Sequence, residues 1–238
     1  MKFSPDAYPG TELELFESAQ NWKRYVQKTI SPFIRQNVLE VGAGIGGTTA
    51  TLCDGTQSNW LCLEPDPSLG ATLEEKIRTN SLCSCCDVSF ATLKSLPNTM
   101  RFDTILYIDV LEHIEDDIDE IETALKFLDV GGHLVVLAPA HPWLYSPFDA
   151  AVGHYRRYTR TSLLKLAPHD LEPVLIRYLD SVGMFASAAN RIILKEDQPS
   201  SKQIEIWDRF MVPLSKLVDP LLLNRVGKSV VVVWRRTH

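Results

Sequence analysis

The sequence predicts an α/β fold: a mostly parallel sheet of seven strands, with helices on both faces and a helical insertion before the last strand. Three observations predict it. Apolar strand-like runs alternate with amphipathic helix-like stretches, the pattern of a parallel sheet with crossover helices. A glycine-rich stretch, "VLEVGAGIGGTT" (Val38 to Thr49), follows the first run and opens a helix. The last two strand-like runs flank the insertion, so the final strand could return antiparallel at the sheet edge.

Each element follows from its residues. "LFESAQNWKRYVQKTISPFI" reads as a helix ahead of the first strand, Asn37–Val41. The second strand is Trp60–Glu64, the third Leu82–Cys86, the fourth Phe102–Ile108. Between the fourth and fifth, Ile114, Ile118, Ile121, Leu125 and Leu128 recur at three- and four-residue steps, which predicts an amphipathic helix over Leu111–Leu128. The fifth strand, Gly132–Pro139, is entered through the pair Gly131-Gly132. A long loop then leads to a helix capped near Thr159 or Thr161. Glu172–Asp180 and Lys228–Arg236 are the sixth and seventh strands. The segment 181–227 between them is mostly helical, with a break at "EDQPSS".

Bulk composition limits function. The 238 residues suit one domain, and 45% hydrophobic content suits a globular core. A net charge of −6 argues against broad nucleic-acid binding, which depends on neutralising phosphates. The polar, acidic start is unlike a secretory signal, and the run Ser229–Trp234 is too short to span a bilayer. Five cysteines, Cys53, Cys62, Cys83, Cys85 and Cys86, fit reduced thiols in a cytoplasm. "CSCC" falls in the expected third strand, where cysteine acts as a small hydrophobe, so no metal is expected.

The glycines satisfy two templates. Gly42, Gly44 and Gly47 spell the dinucleotide fingerprint; Gly42, Gly44 and Gly46 spell the tighter loop of nucleoside-binding methyltransferases. Glu40, two residues before Gly42, disfavours a pyrophosphate at the loop and suits an ammonium group. Glu64 at the second strand end can accept both hydroxyls of a ribose, a device that nicotinamide enzymes share. Asp87 and Asp109 complete a series of acids along successive strand ends.

Together "VLEVGAGIGG", "CLEPDPSL", "CCDVSF" and "FDTILYIDVLEHIEDD" resemble class I S-adenosylmethionine-dependent methyltransferases, over about Asn37 to Ala138. The resemblance implies a Rossmann-like seven-stranded sheet with an antiparallel last strand, and S-adenosyl-L-methionine as cofactor, leaving as S-adenosyl-L-homocysteine. It implies that Gly42, Ala43, Gly44 and Gly46 approach the methionine part, with Glu40 organising the loop. Glu64 and Pro65 would flank the ribose. Asp87 and Val88 would meet adenine, and Asp109 and Val110 the methionine side. Trp22 and Tyr25 resemble lid residues. The implied division is a single domain with an N-terminal lid segment (1–36), a cofactor core (37–139), a substrate-side loop and helix (140–170) and the insertion (181–227).

The substrate side is read from "PAHPWLYSPFDAAVGHYRRYTRTSL", after the fifth strand. Its "GHYRRYTR" is similar to a motif of generic bacterial methyltransferases, some of the ubiquinone and menaquinone biosynthesis type. Histidine is the base best matched to neutral pH, and His154, His141 and His113 are the candidates, in that order. Tyr145, Tyr155, Arg156, Arg157 and Tyr158 are the candidate substrate-binding residues, with Asp149 and Arg160 nearby. Arginines in an acidic chain suit a carboxylate or phosphate. The expected partner is therefore a small molecule, anionic or aromatic, with no nucleic acid. In the insertion, Ile204, Trp207, Met211, Leu214 and Leu217 share one helical face, which offers core packing, a cap, a homodimer contact or a membrane-surface contact. A nicotinamide-dependent oxidoreductase and a non-catalytic module of the same fold are the alternatives.

Overall fold

The computed structural model describes residues 12–193 and 200–238. The first eleven residues of the expected lid segment, and most of the expected break at "EDQPSS", lie outside them. In chain order the elements are α1 (Glu12–Glu17), α2 (Gln20–Ile30), β1 (Asn37–Val41), α3 (Thr49–Leu52), β2 (Asn59–Leu63), α4 (Pro67–Arg78) and β3 (Cys86–Ser89). Then come β4 (Phe102–Ile108), α5 (Asp117–Phe127), β5 (Leu128–Pro139), α6 (Pro147–Ala151), α7 (Arg160–Leu164), β6 (Leu171–Leu179), α8 (Ser181–Ile193), α9 (Ser201–Ile206), α10 (Val212–Leu221) and β7 (Ser229–Arg236).

The strands form one sheet in the order β3-β2-β1-β4-β5-β7-β6. The pairs from β3 to β5 are parallel; β7 is antiparallel to both β5 and β6. The last strand therefore runs antiparallel as expected, but it is not at the edge. It inserts between β5 and β6, and β6 forms the edge. Its sequence explains the placement: Val230 to Trp234 are all fully buried, as a strand covered on both faces requires, whereas β6 exposes Glu172 to Val174. Two apolar cores flank the sheet, one built around Leu39, Ile105, Val136 and Val232, the other around Val38, Leu106, Val135 and Val231. Strand alternation sends successive residues to opposite cores.

Local chemistry fixes the helix starts. Asp66 accepts from the backbone N–H of Ser68 and Leu69 at 2.8 and 3.2 Å, with Pro67 behind it, and so caps α4. Thr159 caps α7 by accepting from the N–H of Ser162 at 3.0 Å.

Three expectations need correction. The third strand is Cys86–Ser89, not Leu82–Cys86. Residues 83–86 make a turn closed by the Cys86 N–H donating to the Cys83 carbonyl at 3.0 Å, and the register with β2 begins at Cys86, opposite Trp60. Asp87 thus sits within the strand rather than at its end. The amphipathic helix is shorter than Leu111–Leu128: a 3-10 turn spans Leu111–His113, α5 starts after its cap Asp116, and Leu128 already belongs to β5. In the insertion, a π-helical turn at Trp207–Met211 breaks the apolar stripe. It shifts the helical phase, so Leu214 and Leu217 are 49% and 70% exposed while Val212, Ser215 and Asp219 face inward.

Candidate active site

A cavity of about 1100 Å³ opens at the carboxyl ends of β1, β4 and β5, where the strand order reverses between β1 and β4. The loop after β1 forms one wall. Gly42, Gly44 and Gly46 have φ of +67°, +58° and +77°, a region that side chains resist, whereas Gly47 lies outside it. A Cβ on Gly42 would stand 2.8 Å from a Val110 methyl, and one on Gly46 would stand 2.6 Å from Leu73. Gly42, Ala43 and Gly47 line the cavity, and the loop leaves no room for side chains at Gly42 and Gly46.

Acids organise this wall. Glu40 is buried and accepts from the Thr49 hydroxyl and the Trp60 indole N–H, both at 2.8 Å. Burial pushes its carboxyl up to about 7, against the pull of those two bonds. Glu64 accepts from the Gly44 N–H at 2.7 Å and the Asp66 N–H at 2.9 Å; burial raises its carboxyl, and the two N–H groups oppose that. Glu64 thus stitches the glycine loop to the end of β2. Pro65 follows half-buried; Asp87 and Val88 lie on the neighbouring strand opposite Leu61 and Cys62, Asp87 exposed. Asp109, with φ of +55°, lines the cavity and keeps an exposed surface there. Burial pushes its carboxyl up to about 6, opposed by His154 and Lys228.

The N-terminal helix covers the opposite side. Trp22 lines the cavity and packs on Trp207 with ring centroids 5.7 Å apart. Tyr25 does not line it: its hydroxyl is buried and donates to Asp219 at 2.8 Å. Asp208 accepts from the N–H groups of Asn21 and Trp22 at 3.1 and 2.8 Å, closing the first turn of α2. The insertion therefore holds the covering helix.

The substrate-side loop divides sharply. His154, Arg157 and Tyr145 line the cavity; Tyr155, Arg156 and Tyr158 do not. Asp149 is the hub. It receives Arg157 Nε at 2.9 Å and Nη2 at 3.0 Å, the Ser146 hydroxyl at 2.8 Å, and lies 2.9 Å from His154 Nδ1. Burial raises its carboxyl, but the His154 and Arg157 bonds outweigh that and hold it well below the usual range. Tyr158 is buried and donates to Asp117 at 2.8 Å; Arg156 pairs with the same carboxylate at 2.7 Å. Tyr155 is half exposed to solvent. His141 lies outside the cavity wall, stacked on Tyr178 at 4.8 Å, where Arg160 also packs at 4.6 Å.

His113 lines the cavity against His154, ring centroids 4.6 Å apart. Burial and the neighbouring His154 push its imidazole down to about 4, against the Gly153 carbonyl. Two wall residues were not legible beforehand. Glu112 is 1% exposed, no other described residue hydrogen-bonds its carboxylate oxygens, and His154 Nε2 lies 3.9 Å away. Burial, then the nearby Asp109, raise its carboxyl well above the ordinary value. Lys228 reaches the cavity across the Trp207 ring at 5.5 Å, and burial lowers its ammonium pKa. Glu112 sat inside the expected helix, where its neighbour His113 was the only signal; Lys228 read as the first residue of a strand.

Residues 39–134 match the model of a family described as a methyltransferase domain. With the seven-stranded sheet, this match gives the chain the α/β Rossmann-like fold of methyltransferases. Three solved structures share the fold. Coclaurine N-methyltransferase bound to N-methylheliamine and SAH is 16% identical, with a TM-score of 0.61 over 90% of this chain and 72% of that one. N-methyltransferase NodS from Bradyrhizobium japonicum is 16% identical, with a TM-score of 0.57 over 95% and 99%. The [4+2]-cyclase SpnF is also 16% identical, with a TM-score of 0.62 over 90% and 81%. No curated protein matches the chain by sequence. No helix of the described residues is long and apolar enough to cross a membrane.

Proposed function

We propose that the chain is an S-adenosylmethionine-dependent methyltransferase acting on a small, oxygen-, nitrogen- or carbon-nucleophilic acceptor. The observation that carries this reading is the glycine loop: Gly42, Gly44 and Gly46 take positive φ beside the buried carboxylates Glu40 and Glu64. That cradle suits a zwitterionic amino-acid tail and a ribose better than a pyrophosphate, because Asp109 lines the same cavity and would repel phosphates there. The cofactor supplies an electrophilic methyl group on a sulfonium. Glu40 keeps the loop in shape, Asp109 faces the ammonium, and Glu64 exchanges its bond to Gly44 for the ribose hydroxyls.

The volume supports a second ligand. About 1100 Å³ exceeds the roughly 300–1,000 Å³ usual for one small molecule, so donor and acceptor fit together. Methyl transfer needs alignment above all, which enclosed walls provide. We place the acceptor against Glu112, His113 and His154, with Arg157 and Lys228 available to an anionic substituent. The chain works as one domain, in a reducing, cytoplasmic setting suited to its thiols.

Isothermal titration with S-adenosylmethionine, S-adenosylhomocysteine and NADH tests this. Micromolar binding of the first two is expected, with loss in Gly42→Val and Glu64→Ala. Binding of NADH alone would transfer the assignment to an oxidoreductase.

A further inference from the structure

We infer that Glu112, His113 and His154 form a binding site for a divalent first-row transition-metal ion, facing the acceptor side of the cavity. One ligand atom from each residue lies within 4.8 Å of the others. The nearest pair recorded, His154 Nε2 and Glu112 Oε1, is 3.9 Å apart. Metal–ligand bonds of about 2.0–2.2 Å span that gap with the ion between the two atoms.

The independent observation is Glu112 itself. Its side chain is buried, lines the cavity, and among the described residues no other residue hydrogen-bonds either oxygen. A buried carboxylate without partners is costly unless it takes up a proton, is paired or coordinates a metal. Among the described residues no lysine or arginine makes an ion pair with it, and the imidazole of His154 is its ion-pair contact. A cation between the two satisfies both.

The surroundings are arranged as for a metal ligand. His154 Nδ1 is engaged by Asp149 Oδ1 at 2.9 Å, which directs Nε2 toward Glu112, and Arg157 in turn fixes Asp149. A carboxylate behind the distal ring nitrogen is the usual orienting device of a ligating histidine. The Gly153 carbonyl similarly holds the His113 ring. Two imidazoles and one carboxylate suit manganese, iron, cobalt or zinc, and leave coordination positions open toward the cavity. Those positions suit an acceptor that presents a hydroxyl or carboxylate oxygen. This deepens the methyltransferase reading and rests on it only for the acceptor's role; the ion site stands on its own residues.

The test is direct binding of Mn²⁺ to the full chain, followed by EPR, with S-adenosylmethionine binding measured in parallel. Manganese avoids the separate thiol cluster of Cys53, Cys85 and Cys86. One equivalent is expected, with affinity reduced at least tenfold in Glu112→Gln and His154→Gln and unchanged in Cys53→Ser. Pulsed EPR should show imidazole nitrogen coupling in the wild type, which decides the matter even if a variant misfolds. Absence of bound Mn²⁺, absence of nitrogen coupling, or equal affinity in a folded Glu112→Gln overturns the site. Failure of S-adenosylmethionine to bind while Mn²⁺ binds would sink the methyltransferase reading and leave the ion site standing.

Discussion

Asp149 and Arg157 form a two-pronged ion pair in the cavity wall, Nε to Oδ1 at 2.9 Å and Nη2 to Oδ2 at 3.0 Å. Asp149 is fully buried and the Arg157 side chain is 9% exposed, so neither charge can turn to water. Removing one partner leaves the other charge buried. Asp149→Ala should therefore cost about 3–5 kcal/mol in urea unfolding. Asp149→Leu combined with Arg157→Met should recover much of that loss. A double variant no more stable than Asp149→Ala would show that the pair is not the unit of stability.

How much of this was legible in the sequence depends on the range of the interaction. The limits of β1 and β4 are legible in the sequence because apolar runs and glycines are local signals. The limits of β3 are not legible because cysteines run through "SLCSCCDV" on both sides of the turn, and only pairing with β2 decides where the strand begins. His154 was read as a candidate base from its type alone, while its partners Asp149 and Glu112 meet it through chain reversals that no periodicity announces. Tyr25 and Tyr158 resemble site aromatics in sequence, yet buried acids 194 and 41 residues away hold them outside the cavity. The π-helical turn has no signal in the sequence, where Ile204, Trp207, Met211, Leu214 and Leu217 read as one unbroken helical face.

The covering helix α2 should depend on the insertion. Asp208 accepts from the first-turn N–H groups of Asn21 and Trp22, a capping role supplied from 186 residues away. Asp208→Ala should cost about 0.5–2 kcal/mol, as lost caps do. It should also loosen the Trp22–Trp207 contact, visible as changed tryptophan fluorescence and faster amide exchange in α2. Unchanged exchange in α2 would argue that its packing on the core, not the cap, holds it.

Glu40 should give the ligand-free protein a specific pH dependence. Its carboxyl is raised to about 7 when folded, against about 4.3 for an unfolded glutamate. Below about pH 4 both states hold the proton. Between roughly pH 4 and 7 the unfolded state releases it and the folded state does not, so stability falls as pH rises through that window and then levels off. The Glu40 contribution is on the order of 3 kcal/mol. Glu40→Gln keeps an oxygen for Thr49 and Trp60 and cannot ionise. The stability difference between variant and wild type, from unfolding at a series of pH values, should grow in favour of the variant from pH 4 to 8. A flat difference would mean that Glu40 is ionised at little cost.

The glycine loop offers the sharpest comparison, because its two templates differ at adjacent positions. Gly46 has φ of +77°, and its Cβ would meet Leu73 at 2.6 Å. Gly47 has no positive φ, and its Cβ would meet only the mobile end of Lys23, at 2.9 Å from Nζ. Gly46→Ala must adopt a strained backbone and displace a core leucine, so a loss of about 1–3 kcal/mol is expected. Gly47→Ala meets neither obstacle and should stay within about 0.5 kcal/mol of wild type. Titration with S-adenosylmethionine should follow the same order, with affinity lost at Gly46 and retained at Gly47. Equal damage at both positions would restore the longer spacing as the working motif, and with it the dinucleotide reading, because Gly47 would then be a glycine that the ligand requires.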